Sequence, residues 1–178
     1  MDILSGGGGI AVSYKRAIFG VFMMLFFFSA YAEEPENAPR LYIFVSFNMP
    51  EQSLKLWASD AARLETSLLL RGFVDNDLKK TTAKTLELFG EKANIELLID
   101  PEKFQKFKID VVPAVVIAAP EKVAPTTEDT TDNAAPPFDV VYGDTSLEAA
   151  LNRIAKAGVP ANQKAARHYL KKYREQHE

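Results

Sequence analysis

Residues 95–117 read Ile-Glu-Leu-Leu-Ile-Asp-Pro-Glu-Lys-Phe-Gln-Lys-Phe-Lys-Ile-Asp-Val-Val-Pro-Ala-Val-Val-Ile. The pattern predicts a buried strand over 95–99, a short helix over 101–107, a Val-Pro turn and a second buried strand over 114–118. Strands that alternate with helices are the building units of α/β domains. This stretch therefore indicates an α/β fold, and the segments around it decide which kind.

The segment before this stretch predicts two further strand–helix units. A β-branched and aromatic run over residues 41–47 is typical of a strand buried on both faces. Pro50 suits the first turn of the helix that follows. The apolar stripe of that helix is formed by Leu54, Trp57, Ala58, Ala61 and Leu64.

A second strand is predicted over residues 67–74, followed by a helix that ends at Gly90. Capping oxygens for this helix are available from Asp75, Asn76 and Asp77. Its apolar side is predicted to consist of Leu78, Thr82, Leu86 and Phe89.

The C-terminal part predicts a hairpin and a helix. A strand over residues 138–142 is expected to pair antiparallel with 114–118, and Thr145 and Glu148 have capping-box spacing for a helix ending at Gly158. The order β-α-β-α-β-α-β-β-α predicts a mainly parallel sheet with helices on both faces, made mixed by an antiparallel hairpin at its edge.

The N-terminus has the pattern of a secretory signal peptide. Lys15 and Arg16 precede a 12-residue apolar run over 17–28, and small residues stand at Ala30 and Ala32. These features predict cleavage after Ala32. An uncleaved membrane anchor and a buried core helix are the alternatives, although the apolar run is short for a hydrocarbon core of about 30 Å.

Cleavage after Ala32 would leave 146 of the 178 residues, a length that suits one domain. Residues 33–178 carry a net charge of −4, which argues against bulk nucleic-acid binding. The predicted plan is a signal peptide over 1–32, a polar leader over 33–40, a domain over 41–158 and a basic helical tail over 159–178.

Two segments are predicted to lie outside the core. Residues 120–137 are acidic and rich in Pro, Thr and Ala, which favours a flexible surface loop, with partner binding as the alternative. The tail carries a net charge of +3 and a thin apolar stripe of Ala166, Leu170 and Tyr173. We expect a solvated amphipathic helix, with docking on a partner or a membrane surface as the alternative.

The sequence excludes dithiol chemistry, because it contains no cysteine and the thiolate is the reacting group. Both histidines, His168 and His177, lie in the basic tail, which leaves a Ser/His/Asp triad or a histidine metal site without credible members. Asp75 and Asp77 are interpreted as helix caps, since no calcium-loop continuation follows. No catalytic residue, metal ligand or cofactor-binding residue is therefore predicted.

The frame formed by residues 95–117 resembles the second half of a thioredoxin domain. The resemblance implies a three-layer thioredoxin-like fold with a cis Val112–Pro113 bond. It also implies a shallow groove where the cis-proline loop meets the start of the first helix, which in relatives receives an extended peptide. The groove would be lined by Phe47, Asn48, Met49, Pro50, Val112 and Pro113. The alternative is that these residues have a structural role alone and bind no peptide.

A closer resemblance is carried by Leu-Tyr-Ile-Phe-Val-Ser-Phe-Asn-Met-Pro over residues 41–50, by Ser53 and Leu54, and by Val-Tyr-Gly-Asp over residues 141–144. With the motifs at 70–72, 99–107 and 112–114, these residues resemble the F-type conjugative pilus assembly proteins of the TrbC family. Asn48 departs from the family pattern Ser-Phe-Ser-Met-Pro.

This resemblance implies a periplasmic protein of a Gram-negative type IV secretion system that helps to assemble the conjugative pilus. It implies a scaffold that works through other secretion components, notably the TraW family, and not an enzyme. The alternative is a periplasmic peptide-binding chaperone with a thioredoxin fold and no redox activity. Membrane contact is expected only through the signal segment or the basic tail.

Overall fold

The structure is a computed structural model that describes residues 38–91, 94–120 and 136–176. The predicted signal segment with Ala30 and Ala32, most of the leader and residues 121–135 of the acidic loop lie outside the described residues. The described strands are β1 (Arg40–Val45), β2 (Leu68–Leu70), β3 (Leu97–Ile99), β4 (Ala114–Ala118) and β5 (Phe138–Tyr142). The described helices are α1 (Glu51–Arg63), α2 (Leu78–Phe89), α3 (Pro101–Lys106), α4 (Leu147–Ala157) and α5 (Pro160–Glu175).

The strands form one mixed sheet in the order β3-β2-β1-β4-β5. β1 pairs parallel with β2, and β2 with β3, whereas β4 runs antiparallel to both β1 and β5. The prediction of an antiparallel β4–β5 hairpin is confirmed. The predicted mixed sheet with helices on both faces is confirmed, although half of the pairings of the described strands are antiparallel, because β4 lies beside β1 in the interior.

The larger core lies on one face of the sheet, beneath α1, α2, α4 and α5. The predicted stripe of α1 is confirmed, since all five of its residues are buried. From the sheet, Leu41, Ile43 and Val45 face this core, because alternate residues of β1 point to the same side. Four helices therefore cover this face, whereas α3 is the one described helix that packs on the opposite face.

That opposite face carries a smaller, aromatic core around Phe44. The Phe104 ring of α3 meets the Phe44 ring edge-on at 4.8 Å between centroids, and Phe107 lies 6.2 Å from Phe44. Asp100 caps α3 by accepting from the Lys103 backbone N–H at 2.9 Å. Burial raises the pKa of Asp100, but hydrogen bonds and charge from Lys103 outweigh it and leave the pKa below its ordinary value.

The fifth helix, α5, belongs to the large core, so the expectation of a solvated helix outside the domain is wrong. Its predicted apolar stripe is buried, and Asn162 and Tyr169 are buried with it. Tyr173 Oη donates to Asp60 Oδ1 of α1 at 3.0 Å. Burial and this hydrogen bond raise the pKa of Tyr173. A narrow apolar stripe is enough to hold α5 in the core, because the rings of Tyr169 and Tyr173 bury a large apolar area.

The predicted apolar side of α2 is correct only at Phe89, which packs against the large core. Leu78 and Leu86 are 64% and 46% exposed, whereas Thr81 and Leu88 face the core. Thr81 Oγ1 donates to the Asp77 carbonyl and accepts from the Val74 N–H, both at 2.8 Å. These two hydrogen bonds place the polar side chain of Thr81 toward the core. The buried face of α2 therefore lies about 100° around the helix axis from the face that was predicted.

Element ends differ from the predictions mainly at caps and at β2. β2 is three residues long and a short 3₁₀ turn, Val74–Asn76, replaces the predicted end of that strand. Among the three predicted capping residues of α2, Asp77 accepts from the N–H groups of Lys79 and Lys80. The cap of α4 is Ser146, whose side chain accepts from Ala149, and not Thr145.

Gly158, which ends α4 just before α5 begins, lies close to β5. Gly158 has φ −72°, so its role is not left-handed geometry. A Cβ there would lie 2.7 Å from Asp139 Oδ2 and 2.8 Å from the Ile154 carbonyl oxygen. The Asp139 carboxylate and the Ile154 carbonyl therefore leave no room for a side chain at this position, which requires glycine.

Candidate functional site

The candidate site lies where the carboxyl ends of the parallel strands β1 and β2 meet. Val45 and Leu70 are register partners, so the residues that follow them, Ser46 and Arg71, leave the sheet at the same edge. Ligand sites of open α/β sheets form outside the carboxyl ends of strands. Here a surface pocket of about 410 Å³ opens, which we call the Phe47 cleft; its walls include Phe47, Asn48, Arg71, Phe73, Asp110 and Val112.

A tight turn over residues 46–49 shapes one wall of the cleft. The Met49 N–H donates to the Ser46 carbonyl at 3.0 Å, and the Asn48 N–H donates to Ser46 Oγ at 3.2 Å. Phe47 and Asn48 line the cleft, while half-buried Met49 packs against the large core and its Sδ accepts from the Ser46 N–H at 3.5 Å. Exposed Pro50 precedes α1 and lies outside the lining.

The opposite wall is formed by the loop before β4. The Val112–Pro113 peptide bond is cis, as the thioredoxin resemblance implies. Val112 lines the cleft and packs against the small core. Pro113 is buried, and its carbonyl accepts from the Gly143 N–H at 3.0 Å. Of the six predicted groove residues, the structure thus brings together Phe47, Asn48 and Val112.

Arg71 is a cleft residue that the sequence analysis did not single out for the groove. Its guanidinium lies 5.1 Å from the centroid of the Phe104 ring, donates to the Ile109 carbonyl and stands 3.7 Å from Asp110 Oδ1. These contacts hold a cation in the wall of the cleft. Arg71 directly follows a parallel strand at the same edge as Ser46, and this position could have identified it as a site residue.

The rim of the cleft combines apolar and acidic groups. Phe73 is 42% exposed and lines it, and Val111, beside Val112, is 61% exposed. Asp75 also lines it, with φ 48°, and a hydrogen bond and charge from Lys80 lower the pKa of its carboxyl. Exposed apolar side chains beside fixed charges suit the binding of a polypeptide segment.

The two serines of the first motif both have hydrogen-bond partners within the domain. Ser46 Oγ accepts from Asn48, as described above. Ser53 Oγ donates to Asp144 Oδ1 at 2.6 Å, and Trp57 Nε1 donates to the same oxygen at 3.3 Å. Asp144 therefore ties α1 to the loop before α4. Within the described ranges, no group of three or more His, Cys, Asp or Glu side chains is placed to hold a metal ion.

Together, the mixed sheet, the helices on both faces, the cis Val112–Pro113 bond and the absence of cysteine from the sequence define a thioredoxin-like α/β domain without redox thiols. Residues 43–154 match the type-F conjugative transfer system pilin assembly proteins, TrbC_Ftype. This chain belongs to that family.

A curated relative is the "Periplasmic protein TrbC" of Escherichia coli strain K12. It is 30% identical over 115 residues, which are 65% of this chain and 47% of that protein. The chain thus spans about half the length of this relative. No solved structure significantly matches the chain. Among the described residues, none of the helices has the length and apolar character needed to cross a membrane.

Proposed function

We propose that this chain is a non-catalytic periplasmic assembly factor for the F-type conjugative pilus and acts through protein–protein contacts. The observation that carries the proposal is the family match over residues 43–154, which includes the second half of β1 and the other four described strands in full. The name of the E. coli relative and the predicted signal peptide support the periplasmic location. Other transfer proteins, TraW-family proteins among them, are the proposed partners.

The proposal of a non-catalytic role follows from the chemistry of the residues present. The sequence contains no cysteine, so the chain has no thiol for disulfide exchange. Ser53 is 7% exposed and donates its hydroxyl hydrogen bond to Asp144. Its burial and its hydrogen bond to the loop before α4 indicate a structural role for Ser53.

The experiment is complementation in a donor strain whose conjugative element lacks this gene. We expect the deletion to abolish pilus production and plasmid transfer, and the wild-type gene to restore both. Ser46→Ala and Ser53→Ala should restore transfer to within about twofold, because neither hydroxyl is a nucleophile in this proposal. Loss of transfer in a serine variant present at normal level would contradict the non-catalytic role.

A second candidate function, a peptide-binding chaperone, is favoured by the exposed aromatic ring of Phe73 at the Phe47 cleft. Such a chaperone would hold an extended client segment against Phe47, Phe73 and Val112, with Arg71 beside it. Main-chain hydrogen bonds and side-chain pockets are the means by which extended peptides are recognised.

The change Phe73→Asp tests the cleft. Because Phe73 is partly exposed, we expect the fold to persist, while capture of an extended apolar peptide weakens at least about tenfold, as measured by fluorescence anisotropy. Leu86→Asp is the matched control, since Leu86 has similar exposure but lies on α2 outside the cleft lining. Equal peptide binding by both variants and the wild type would exclude the chaperone function.

A further inference from the structure

A second concave surface lies between α4 and α5. This groove has a volume of about 640 Å³. Its floor contains the buried apolar side chains of Ala155 and Leu170. Four basic side chains surround them, and we call the whole surface the basic groove; the four are Lys156, Arg167, Lys171 and Arg174.

The positive charge of the basic groove is only partly neutralised. Glu175 lies 3.7 Å from Lys171 Nζ, and Glu148 lies 2.8 Å from Arg174. Arg167 donates to the Ala155 carbonyl at 3.1 Å, which fixes its guanidinium at the end of α4. Lys156 forms no ion pair within the part of the chain that the structure describes. Four cations against two carboxylates leave a net charge of +2.

This charge stands out against the rest of the chain. Residues 147–175 carry seven Lys and Arg against two Glu, a net charge of +5, whereas residues 33–178 carry −4. The remaining parts of residues 33–178 are therefore strongly acidic. This concentration of positive charge in α4 and α5 favours the binding of an acidic partner there.

The spacing of the cations indicates what the groove can bind. Arg167, Lys171 and Arg174 stand at positions i, i+4 and i+7 of α5 and so lie on one face. Along the helix axis they are separated by roughly 6 Å and 4.5 Å. Carboxylates with this separation occur at i and i+4 of a helix and at i and i+2 of a strand.

We propose that the basic groove binds an acidic segment of a partner protein, with an apolar side chain on Ala155 and Leu170 and carboxylates on the surrounding cations. The inference rests on the proposed function, because it assigns one of the protein–protein contacts of an assembly factor to this surface. The combination of an apolar floor and a charged rim is the usual anatomy of a protein interface.

The shape of the groove favours a protein segment over a membrane surface. Basic helices that lie on membranes insert large apolar side chains between the lipids. The large apolar side chains that are exposed in the described residues, such as Leu56, Leu78 and Val159, do not line the basic groove. Its apolar atoms are recessed, where a side chain of a partner reaches them and a flat bilayer does not.

The test measures binding of a fluorescent peptide of about 15 residues, with Glu at i, i+4 and i+7 of one helical face and Leu beside them. The double variant Lys156→Glu/Lys171→Glu removes groove charge. The matched control Lys55→Glu/Lys79→Glu changes the net charge equally, and Lys55, like Lys171, pairs with a glutamate four residues away. Both variants are first compared with the wild type by thermal unfolding.

The expected result is that the groove variant binds the peptide at least about tenfold more weakly than the control variant and the wild type. Wild-type affinity should also fall when NaCl is raised from about 50 to about 300 mM. Equal affinity in the two double variants would overturn the proposal. Groove-dependent binding to phosphatidylglycerol vesicles, with no peptide binding, would overturn it in favour of a membrane surface.

Plasmid transfer separates this inference from the function on which it rests. We expect the control variant to restore transfer to the deletion strain and the groove variant to lower it at least about tenfold at equal protein level. Full transfer by the groove variant would overturn the groove proposal alone. Failure of the wild-type gene to restore transfer, with peptide binding intact, would instead contradict the assembly function.

Discussion

Removal of residues 160–178 is expected to abolish cooperative folding of this domain. The deleted helix α5 contributes Tyr169, Leu170 and Tyr173 to the large core. Burial of each side chain of this size contributes roughly 1.5–3 kcal/mol. Three of them approach the free energy of unfolding of a typical domain, roughly 5–15 kcal/mol. Thermal unfolding followed by near-UV circular dichroism measures the loss.

The shortened chain should also expose the apolar surface of α4 that α5 covers, and so bind the dye ANS. The control is Lys164→Ala, an exposed position on the same helix, which we expect to change the free energy of unfolding by less than about 0.5 kcal/mol. A shortened chain that unfolds cooperatively within about 5 °C of the full-length protein would mean that α5 is a dispensable appendage.

The change Asn162→Ala is expected to lower the free energy of unfolding by about 2–3 kcal/mol. Asn162 is 0% exposed, and its Nδ2 donates to the Ile117 carbonyl at 3.0 Å and to Asp139 Oδ2 at 2.8 Å. Asp139 Oδ2 also accepts from the Val159 N–H at 2.9 Å. Alanine would leave a buried carbonyl without its donor where β4, β5 and α5 meet. Urea unfolding gives the value.

Asn152→Ala provides the comparison for this change. Asn152 Nδ2 also donates to a backbone carbonyl, that of Glu148, but both residues lie on α4 and the side chain is only half-buried. We expect a loss below about 1 kcal/mol, because water replaces the donor. If both asparagine variants lose the same free energy, the corner around Asp139 does not hold α5 in place.

Local sequence patterns predicted the strands and helices where neighbouring residues carry the signal. The bounds of β4 and β5 agree with the predictions because each is a short, mainly apolar run between turn residues. The stripe of α1 was predicted for a similar reason, since helical periodicity is a property of the segment itself. Asp77 and Ser146 show the limit, because several neighbouring residues could cap the start of each helix and the pattern does not choose among them. Gly158, by contrast, ends α4 as predicted.

The errors occurred where particular hydrogen bonds and packing contacts outweigh the periodic pattern. Thr81 faces the core through hydrogen bonds to the preceding turn, whereas Leu78 and Leu86 of α2 face outward. The tail was expected to be solvated because it is basic, yet its aromatic stripe is buried against α4 and α1. Hydropathy averaged along a helix does not report how well one narrow face packs.

The candidate cleft was predicted in part. Phe47, Asn48 and Val112 were named from the resemblance, and they line one pocket. Arg71 and Asp110 were missed as cleft residues because they are distant in the sequence. The parallel pairing of β1 with β2 places Arg71 at the cleft, and the return of the chain after α3 brings Asp110 beside it. That the cleft binds a partner stays a prediction.

By itself, the sequence determined that this protein performs no thiol chemistry and that its strands and helices follow one another in α/β order. Tertiary structure alone decided that β4 lies beside β1, that α5 completes the core, and that Lys156 joins Arg167 and Lys171 in one groove. The physical reason is the distance along the sequence over which each effect acts, because backbone preference and periodicity depend on neighbouring residues. Burial and hydrogen bonds, such as that from Ser53 to Asp144, join residues 91 positions apart.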